Sequence, residues 1–197
     1  MNTSLAAGAA VFALVATVTP GPNNVMLTAS GLTFGFRKTV PMMLGFVSGL
    51  LLLLLAVASG LGAAFERFPW LHPVLKLLGT AYLLTLAWKL WQASSMGSAA
   101  MDSPHGFSRS VAFQAINPKA WMMTVGAISA YTSPGQAYWP SVGWVVAAFA
   151  VMGFPSATLW TAFGGLIRSS LGDPRRAMWI GRAMAVLTAA SCLLIVV

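Results

Sequence analysis

The chain has 197 residues, of which 58% are hydrophobic and only 7% charged, and its net charge is +8. Soluble domains carry about 25% charged residues, so this composition excludes an ordinary soluble enzyme, and the abundance of apolar residues excludes a disordered regulator. The basic residues are dispersed and form no continuous stripe, which argues against nucleic-acid binding. The composition therefore predicts a protein that lies in a membrane.

Apolar segments of about 20 residues predict the fold class, an all-α polytopic membrane protein with six transmembrane helices. The segments lie at about residues 5–29, 40–65, 74–91, 107–131, 141–166 and 177–197. The first segment lacks the Lys or Arg that precedes the apolar core of a signal peptide. We therefore expect it to stay in place as the first membrane helix.

A polar stretch at residues 93–106, rich in Ser, Gly and Ala, predicts a flexible linker within a single membrane domain, residues 1–197. It separates a first three-helix repeat at 1–92 from a second repeat at 107–197. Because each repeat has an odd number of spans, the second must enter the bilayer from the opposite side. Inverted repeats of this kind are found in many secondary transporters.

The distribution of Lys and Arg predicts the orientation of the helices, because cytoplasmic loops carry an excess of these residues. One side of the predicted membrane has only Arg67 and Lys76. The opposite side, predicted to be cytoplasmic, has Arg37, Lys38, Lys89, Arg109, Arg168, Arg175 and Arg176. Both termini are then predicted to lie outside the cytoplasm.

The first apolar segment is interrupted by TPGPNN at residues 19–24. The 14 or so residues before it make roughly 21 Å of helix, less than the roughly 30 Å hydrocarbon core, so the break lies within the membrane. Unwound backbone at that depth survives only when it is buried in protein or lines a wet cavity. The alternative is a structural kink, with the Asn side chains capping the next helix. The residues interpreted as substrate-binding are Pro20, Gly21, Pro22, Asn23 and Asn24.

The fourth segment contains a second interruption, Asn117-Pro118-Lys119, with Gln114 one turn earlier. Asn as N-cap and Pro as the first helical residue predict a helix start. Such a start directs N–H groups at what lies in front of it, and with the charge of Lys119 it suits a carboxylate. We interpret all four residues as substrate-binding. The alternative is an ordinary helix start with Lys119 snorkelling to the cytoplasmic interface.

Residues that could bind a coupling ion or a metal are scarce. The acidic residues Glu66, Asp102 and Asp173 all fall in predicted loops, so coupling would rely on loop acids at a cavity mouth or on Lys119 itself. With Cys192 as the single cysteine and no His or Cys at metal-ligand spacing, no metal site is predicted. No cofactor motif is present either.

Glycines one turn apart predict close helix packing. Gly45 and Gly49 lie in an apolar run and fit the small-xxx-small pattern, as do Gly31 and Gly35. The pattern leaves open whether the partner helix belongs to this chain or to a second copy in a homo-oligomer.

The two interruptions carry a resemblance to the LysE-type amino-acid exporter family. It rests on TPGPNN, the GFR turn at 35–37, LKLLGTAYLLTLAWKLW in the third segment and FQAINPKAW in the fourth. The resemblance implies a bacterial inner-membrane carrier, with both termini periplasmic, that exports amino acids and related small molecules using the proton gradient. Many members have Asp where this chain has Asn23, so a membrane carboxylate for proton binding is missing here.

The leading hypothesis is a secondary exporter of a small neutral amino acid or derivative, bound between the two breaks while the halves rock around it. No enzyme activity is predicted, and the expected partners are the small-molecule substrate and the lipid bilayer. One alternative is a cation or metal-ion exporter of the same superfamily. Another is a non-transporting membrane scaffold subunit in which the Gly45 face binds a partner.

Overall fold

The computed structural model describes residues 3–61, 104–170 and 174–191, together with isolated residues between 67 and 92. Within that part of the chain, every regular element is helical. The helices are α1 (Thr3–Val18), α2 (Pro22–Phe34), α3 (Phe36–Ala56), α4 (Phe107–Phe113), α5 (Pro118–Tyr131), α6 (Tyr138–Ser170) and α7 (Pro174–Ser191). The predicted third segment and linker, the three acidic residues and Cys192 lie wholly or mostly outside the described residues.

Two helical stretches among the described residues, Phe36–Leu61 and Gly135–Ile167, are long and apolar enough to cross a membrane. A third span is formed if α1 and α2 are taken together, although they are bent by 50° at the break between them. The predicted all-helical membrane class is therefore confirmed. The arrangement of six spans as two inverted repeats stays a prediction.

The first predicted break separates α1 from α2. Pro20 and Pro22 have no N–H to continue the hydrogen-bond ladder of α1, which ends at Val18. Pro22 then occupies the first position of α2, where a missing N–H costs nothing and the fixed φ favours the helix. Gly21, the N-cap of α2, is fully extended at φ −179° and ψ 179°.

The second predicted break is also present. The helix α4 ends at Phe113, a 3₁₀ turn covers Gln114–Ile116, and Asn117 is extended at φ −87° and ψ 104° before α5 begins. The Asn117 side chain accepts the backbone N–H of Lys119 at 3.2 Å, so the predicted N-cap is confirmed. The predicted fourth segment consequently consists of two short helices separated by a 3₁₀ turn and one extended residue.

The turn between α2 and α3 consists of one residue, Gly35, at φ 84°. This left-handed backbone conformation is readily available only to glycine, so α3 begins directly after α2 without a longer loop. The second span therefore begins at Phe36, earlier than the predicted start near residue 40.

The Gly45 and Gly49 pair packs within the chain, against α4. A Cβ built on Gly45 would lie 2.7 Å from the Ser110 Cβ, and one on Gly49 would lie 2.9 Å from the Val111 Cα. These distances leave no room for a side chain on α3. The partner helix that the sequence left open thus belongs to this chain.

A reciprocal glycine contact joins α2 to α6. A Cβ on Gly31 would collide with the Thr161 carbonyl oxygen, and one on Gly164 would collide with the Thr28 carbonyl oxygen. Each helix therefore brings a glycine against the backbone of the other. The result is a tightly packed pair of helices beside the first break.

Two apolar clusters lie on either side of the breaks. The first combines α1, α3, α5 and α6 around the buried Phe149 and Leu54. The second combines α2, α3, the end of α4 and part of α6 around Phe46 and Met42. Since the two halves of each broken span fall in different clusters, the breaks lie at the boundary between them.

We predict that Gly45→Ala destabilises the helix bundle, because the new methyl group must displace α4. Overpacking of this kind costs about 1–3 kcal/mol. The measurement is thermal unfolding in detergent, compared with Gly143→Ala on α6, where an added Cβ would meet no heavy atom within 4 Å. Equal melting temperatures for the two variants would contradict the close packing of α3 on α4.

Candidate functional site

The C-terminal end of α1 leaves carbonyl oxygens that its own helix cannot pair. The last four C=O groups of any helix lack an intrahelical partner, and a buried carbonyl inside a bilayer costs several kcal/mol when unpaired. At this break the missing donors come from side chains on three other helices. The candidate site is built from those donors.

Asn24 supplies two of these hydrogen bonds from the first turn of α2. Its Nδ2 donates to the carbonyl oxygens of Thr17 at 2.7 Å and Thr19 at 2.9 Å. The alternative in which the Asn side chains cap the following helix is therefore wrong for Asn24, which caps the end of the preceding helix instead. The Asn24 side chain is buried, and its two hydrogen bonds join the start of α2 to the end of α1.

Two further donors come from α6 and were missed by sequence reasoning. The Ser156 Oγ donates to the Thr17 carbonyl oxygen at 2.8 Å, and the Trp160 Nε1 donates to the Val18 carbonyl oxygen at 3.3 Å. The one available signal was Pro155, a proline inside a long apolar helix directly before Ser156.

Lys119 binds the same end of α1 from across the second break. Its Nζ donates to the Thr19 carbonyl oxygen at 2.8 Å, the Thr19 Oγ1 at 2.9 Å and the Pro20 carbonyl oxygen at 3.3 Å. A cation at the C-terminus of a helix is favourable because the helix dipole is negative there. The lysine therefore links the start of α5 to the end of α1.

Gly21 allows Lys119 to reach this position. A Cβ on Gly21 would lie 2.7 Å from the Lys119 Cδ and 2.9 Å from its Nζ. The extended backbone at φ −179° is open to any residue, so its conformation does not require glycine. Glycine is needed because a side chain here would occupy the space of the lysine stem. The lysine stem thus lies directly on the first break.

A network of three amides joins the two breaks. Asn23 and Gln114 exchange hydrogen bonds, with both Nδ2 to Oε1 and Nε2 to Oδ1 at 3.2 Å. The Asn117 Nδ2 donates to the Asn23 Oδ1 at 3.0 Å and to the Gln114 Oε1 at 3.4 Å. Gln114 and Asn117 are only 1% and 2% exposed. The network satisfies polar groups that would be costly to bury alone.

All nine residues singled out from the sequence therefore lie at or beside the junction of the two breaks. Lys119 contacts Pro20 and Gly21, the three amides bond to each other, and Asn24 holds α1. Pro22 and Pro118 begin the helices that leave the junction.

Two cavities meet at this junction. The inner cavity, about 40 Å³, lies among α1, α2, α3, α5 and α6 and is lined by Thr17, Asn23, Asn24, Asn117, Ser156 and apolar residues. The outer pocket, about 550 Å³, lies between α1 and α5 and is mostly apolar. Both are bordered by Ala16, Gly21, Lys119 and Met123. The lysine stem and Gly21 therefore lie between the two spaces.

The junction offers hydrogen-bond donors and positive charge. Lys119 and Asn23 are partly exposed. The first turn of a helix also has N–H groups without partners in the helix, here those of Asn23 and Asn24, since Pro22 has none. Among the described residues, no group of three or more His, Cys, Asp or Glu could hold a metal ion. This set of groups is suited to an anionic group such as a carboxylate.

Comparison with known proteins gives a family match over most of the chain. The family described as LysE type translocator matches residues 14–197. Proteins named cysteine/O-acetylserine efflux protein, from Salmonella choleraesuis and Salmonella typhimurium, are 28% identical over 163 residues, covering 80% of either chain. One of the same name from Escherichia coli is 28% identical over 160 residues, again covering 80% of both. No solved structure gives a significant match.

We predict that Asn24→Leu lowers the free energy of unfolding by about 1–3 kcal/mol, because two buried hydrogen bonds to α1 are lost. Chemical or thermal unfolding in detergent measures the change. Ser59→Ala is a matched control, since Ser59 is exposed and donates only to its own helix at Leu55. If Asn24→Leu unfolds with the wild type, the cap on α1 contributes nothing to stability.

Proposed function

This chain belongs to the LysE type translocator family of amino-acid and derivative efflux transporters, and from that premise we propose a specific function. We propose that the chain exports a small neutral amino acid or derivative across the bacterial inner membrane, with the substrate held between the two breaks. Relatives named for cysteine and O-acetylserine efflux support an amino acid or derivative as the cargo.

The contact of Lys119 with the end of α1 carries this proposal. In the structure the amine is bonded to two carbonyl oxygens and one hydroxyl. A substrate carboxylate would form a stronger, charge-assisted hydrogen bond with the same amine. The lysine amine therefore bonds to the end of α1 in the structure, and a substrate carboxylate would replace those oxygens with a stronger hydrogen-bond acceptor.

The start of α2 would complete the carboxylate site. Its free N–H groups at Asn23 and Asn24 lie at the positive end of a helix dipole. Broken helices in transporters commonly point such an end at an anionic substrate group. The Asn23 side chain, tied to Gln114 and Asn117, would hold this end in place.

The packing of the broken spans supports the proposed inverted repeats. The helix before the first break, α1, shares a cluster with α5, which follows the second break. The helix after the first break, α2, shares the other cluster with the end of α4, which precedes the second. This pattern of contacts supports first and fourth spans that run in opposite directions, which inverted repeats require.

Binding and movement would be linked through Lys119. Because the lysine ties α5 to the end of α1, a carboxylate that takes its amine would weaken this tie between the repeats. One repeat would then rock against the other around the occupied site. The scaffold alternative has less support, since the Gly45 face that it assigns to a partner is covered by α4.

We predict that Lys119→Met reduces amino-acid efflux roughly ten- to hundredfold, the value of a hydrogen bond to a charged group. Methionine keeps an unbranched stem on Gly21 but removes the charge. Efflux is measured with labelled amino acids in proteoliposomes that contain the purified chain. Lys38→Met, at an exposed position in α3, is the matched control and should transport at the wild-type rate. Unchanged efflux in Lys119→Met would rule out the proposed carboxylate site.

We also predict that both termini are periplasmic. In a Cys192→Ser background, which removes the single cysteine, Asn2→Cys should react with a membrane-impermeant maleimide in intact spheroplasts. Lys38→Cys should react only after the membrane is permeabilised. The reverse pattern would show that the orientation derived from the Lys and Arg distribution is wrong.

A further inference from the structure

We infer that the inner cavity is the subsite for the substrate's side chain, and that Gly153 limits the cargo to amino acids with side chains about as small as those of alanine, serine and cysteine. This inference rests on the proposed function, in which the carboxylate binds at Lys119. It adds a specificity-determining residue that makes no contact with the carboxylate site.

The inner cavity adjoins the proposed carboxylate site. Lys119, Asn23 and Gly21 line it on one side, and Ser156, Gly153 and Ala157 of α6 line it on another. A carboxylate on the lysine would therefore leave the α-carbon at the mouth of this cavity. The side chain then points either into the cavity or into the outer pocket.

Polar groups favour the inner direction. The Ser156 hydroxyl donates its only proton to the Thr17 carbonyl oxygen, and the Thr17 hydroxyl donates to the Ala13 carbonyl oxygen. Each hydroxyl oxygen therefore keeps lone pairs that accept a hydrogen bond from a hydroxyl or thiol on the substrate's side chain. Among the described residues, the lining of the outer pocket has only Thr19 and Lys119 as polar side chains, so a hydroxyl or thiol would find fewer partners there.

The size of the cavity sets the limit. A volume of about 40 Å³ accommodates about three water-sized groups. A methyl, hydroxymethyl or sulfanylmethyl group has one or two heavy atoms and fits, whereas the four heavy atoms of a leucine or methionine side chain exceed this space. The bundle around the cavity is closely packed, with Phe46 and Leu50 buried in its wall, so it resists expansion.

Gly153 of α6 lines the cavity and has no side chain. A Cβ added there would lie 3.5 Å and 3.9 Å from the two methyl groups of Val47, which is ordinary van der Waals contact. Gly153→Ala therefore fits without strain. It places its methyl group in the space that the substrate side chain would use.

The test is efflux of labelled glycine, alanine, serine, cysteine, leucine and methionine from proteoliposomes that contain the full chain. Wild type should export alanine, serine and cysteine and discriminate against leucine and methionine. Gly153→Ala should lower serine and cysteine efflux about tenfold or more relative to glycine, since one methylene in a pocket is worth roughly 10–200-fold.

Two matched variants distinguish a change of substrate selectivity at the inner cavity from a general effect of an added methyl group on transport. Gly126→Ala adds a methyl to the outer pocket, 3.7 Å from the Phe12 ring, and Gly143→Ala adds one that meets no neighbour within 4 Å. Both should keep the wild-type substrate profile. An unchanged profile in Gly153→Ala, or a shifted one in Gly126→Ala, would overturn the inference while leaving the exporter intact. No efflux of any amino acid by the wild type would overturn the proposed function and this inference with it.

Discussion

The arrangement of the site depends on one requirement, that the carbonyl oxygens at the end of α1 find donors outside their own helix. Pro20 and Pro22 end the helix and leave these oxygens without donors. Asn24, Ser156 and Lys119 supply them from α2, α6 and α5. The same bonds that make the break tolerable therefore bring together helices from both halves of the chain, and a polar site is the result.

The sequence was sufficient to locate the breaks and to say what kind of groups surround them. Proline and glycine act on their own helix, so TPGPNN and the Asn117 cap could be placed from local chemistry alone. The contacts of Lys119 could not, because its partner Thr19 lies 100 residues away. An amine on a flexible side chain can form favourable contacts in several places. The packing of α5 on α1 determines which of these contacts Lys119 makes.

Other features were hidden because their signal is weak in any apolar helix. A serine in α6 is compatible with lipid contact, a helix interface or a cavity, so Ser156 could not be assigned before its neighbours were known. Gly35 matched a packing pattern, but its structural reason is a turn at φ 84°. Gly45 and Gly49 matched the same pattern and do pack, since the backbone of α4 lies close to both positions. Identical sequence patterns thus had different physical causes.

The single-residue turn at Gly35 also decides where positive charge falls. With no loop to carry them, Arg37 and Lys38 lie in the first turn of α3, at the positive end of its dipole. Each costs about 0.3–1 kcal/mol there. In the orientation proposed above, the same two residues face the anionic lipid headgroups of the cytoplasmic leaflet, which attract each basic side chain by about 1 kcal/mol. In that orientation the lipid would offset the cost at the helix start, whose stability would then depend on headgroup charge.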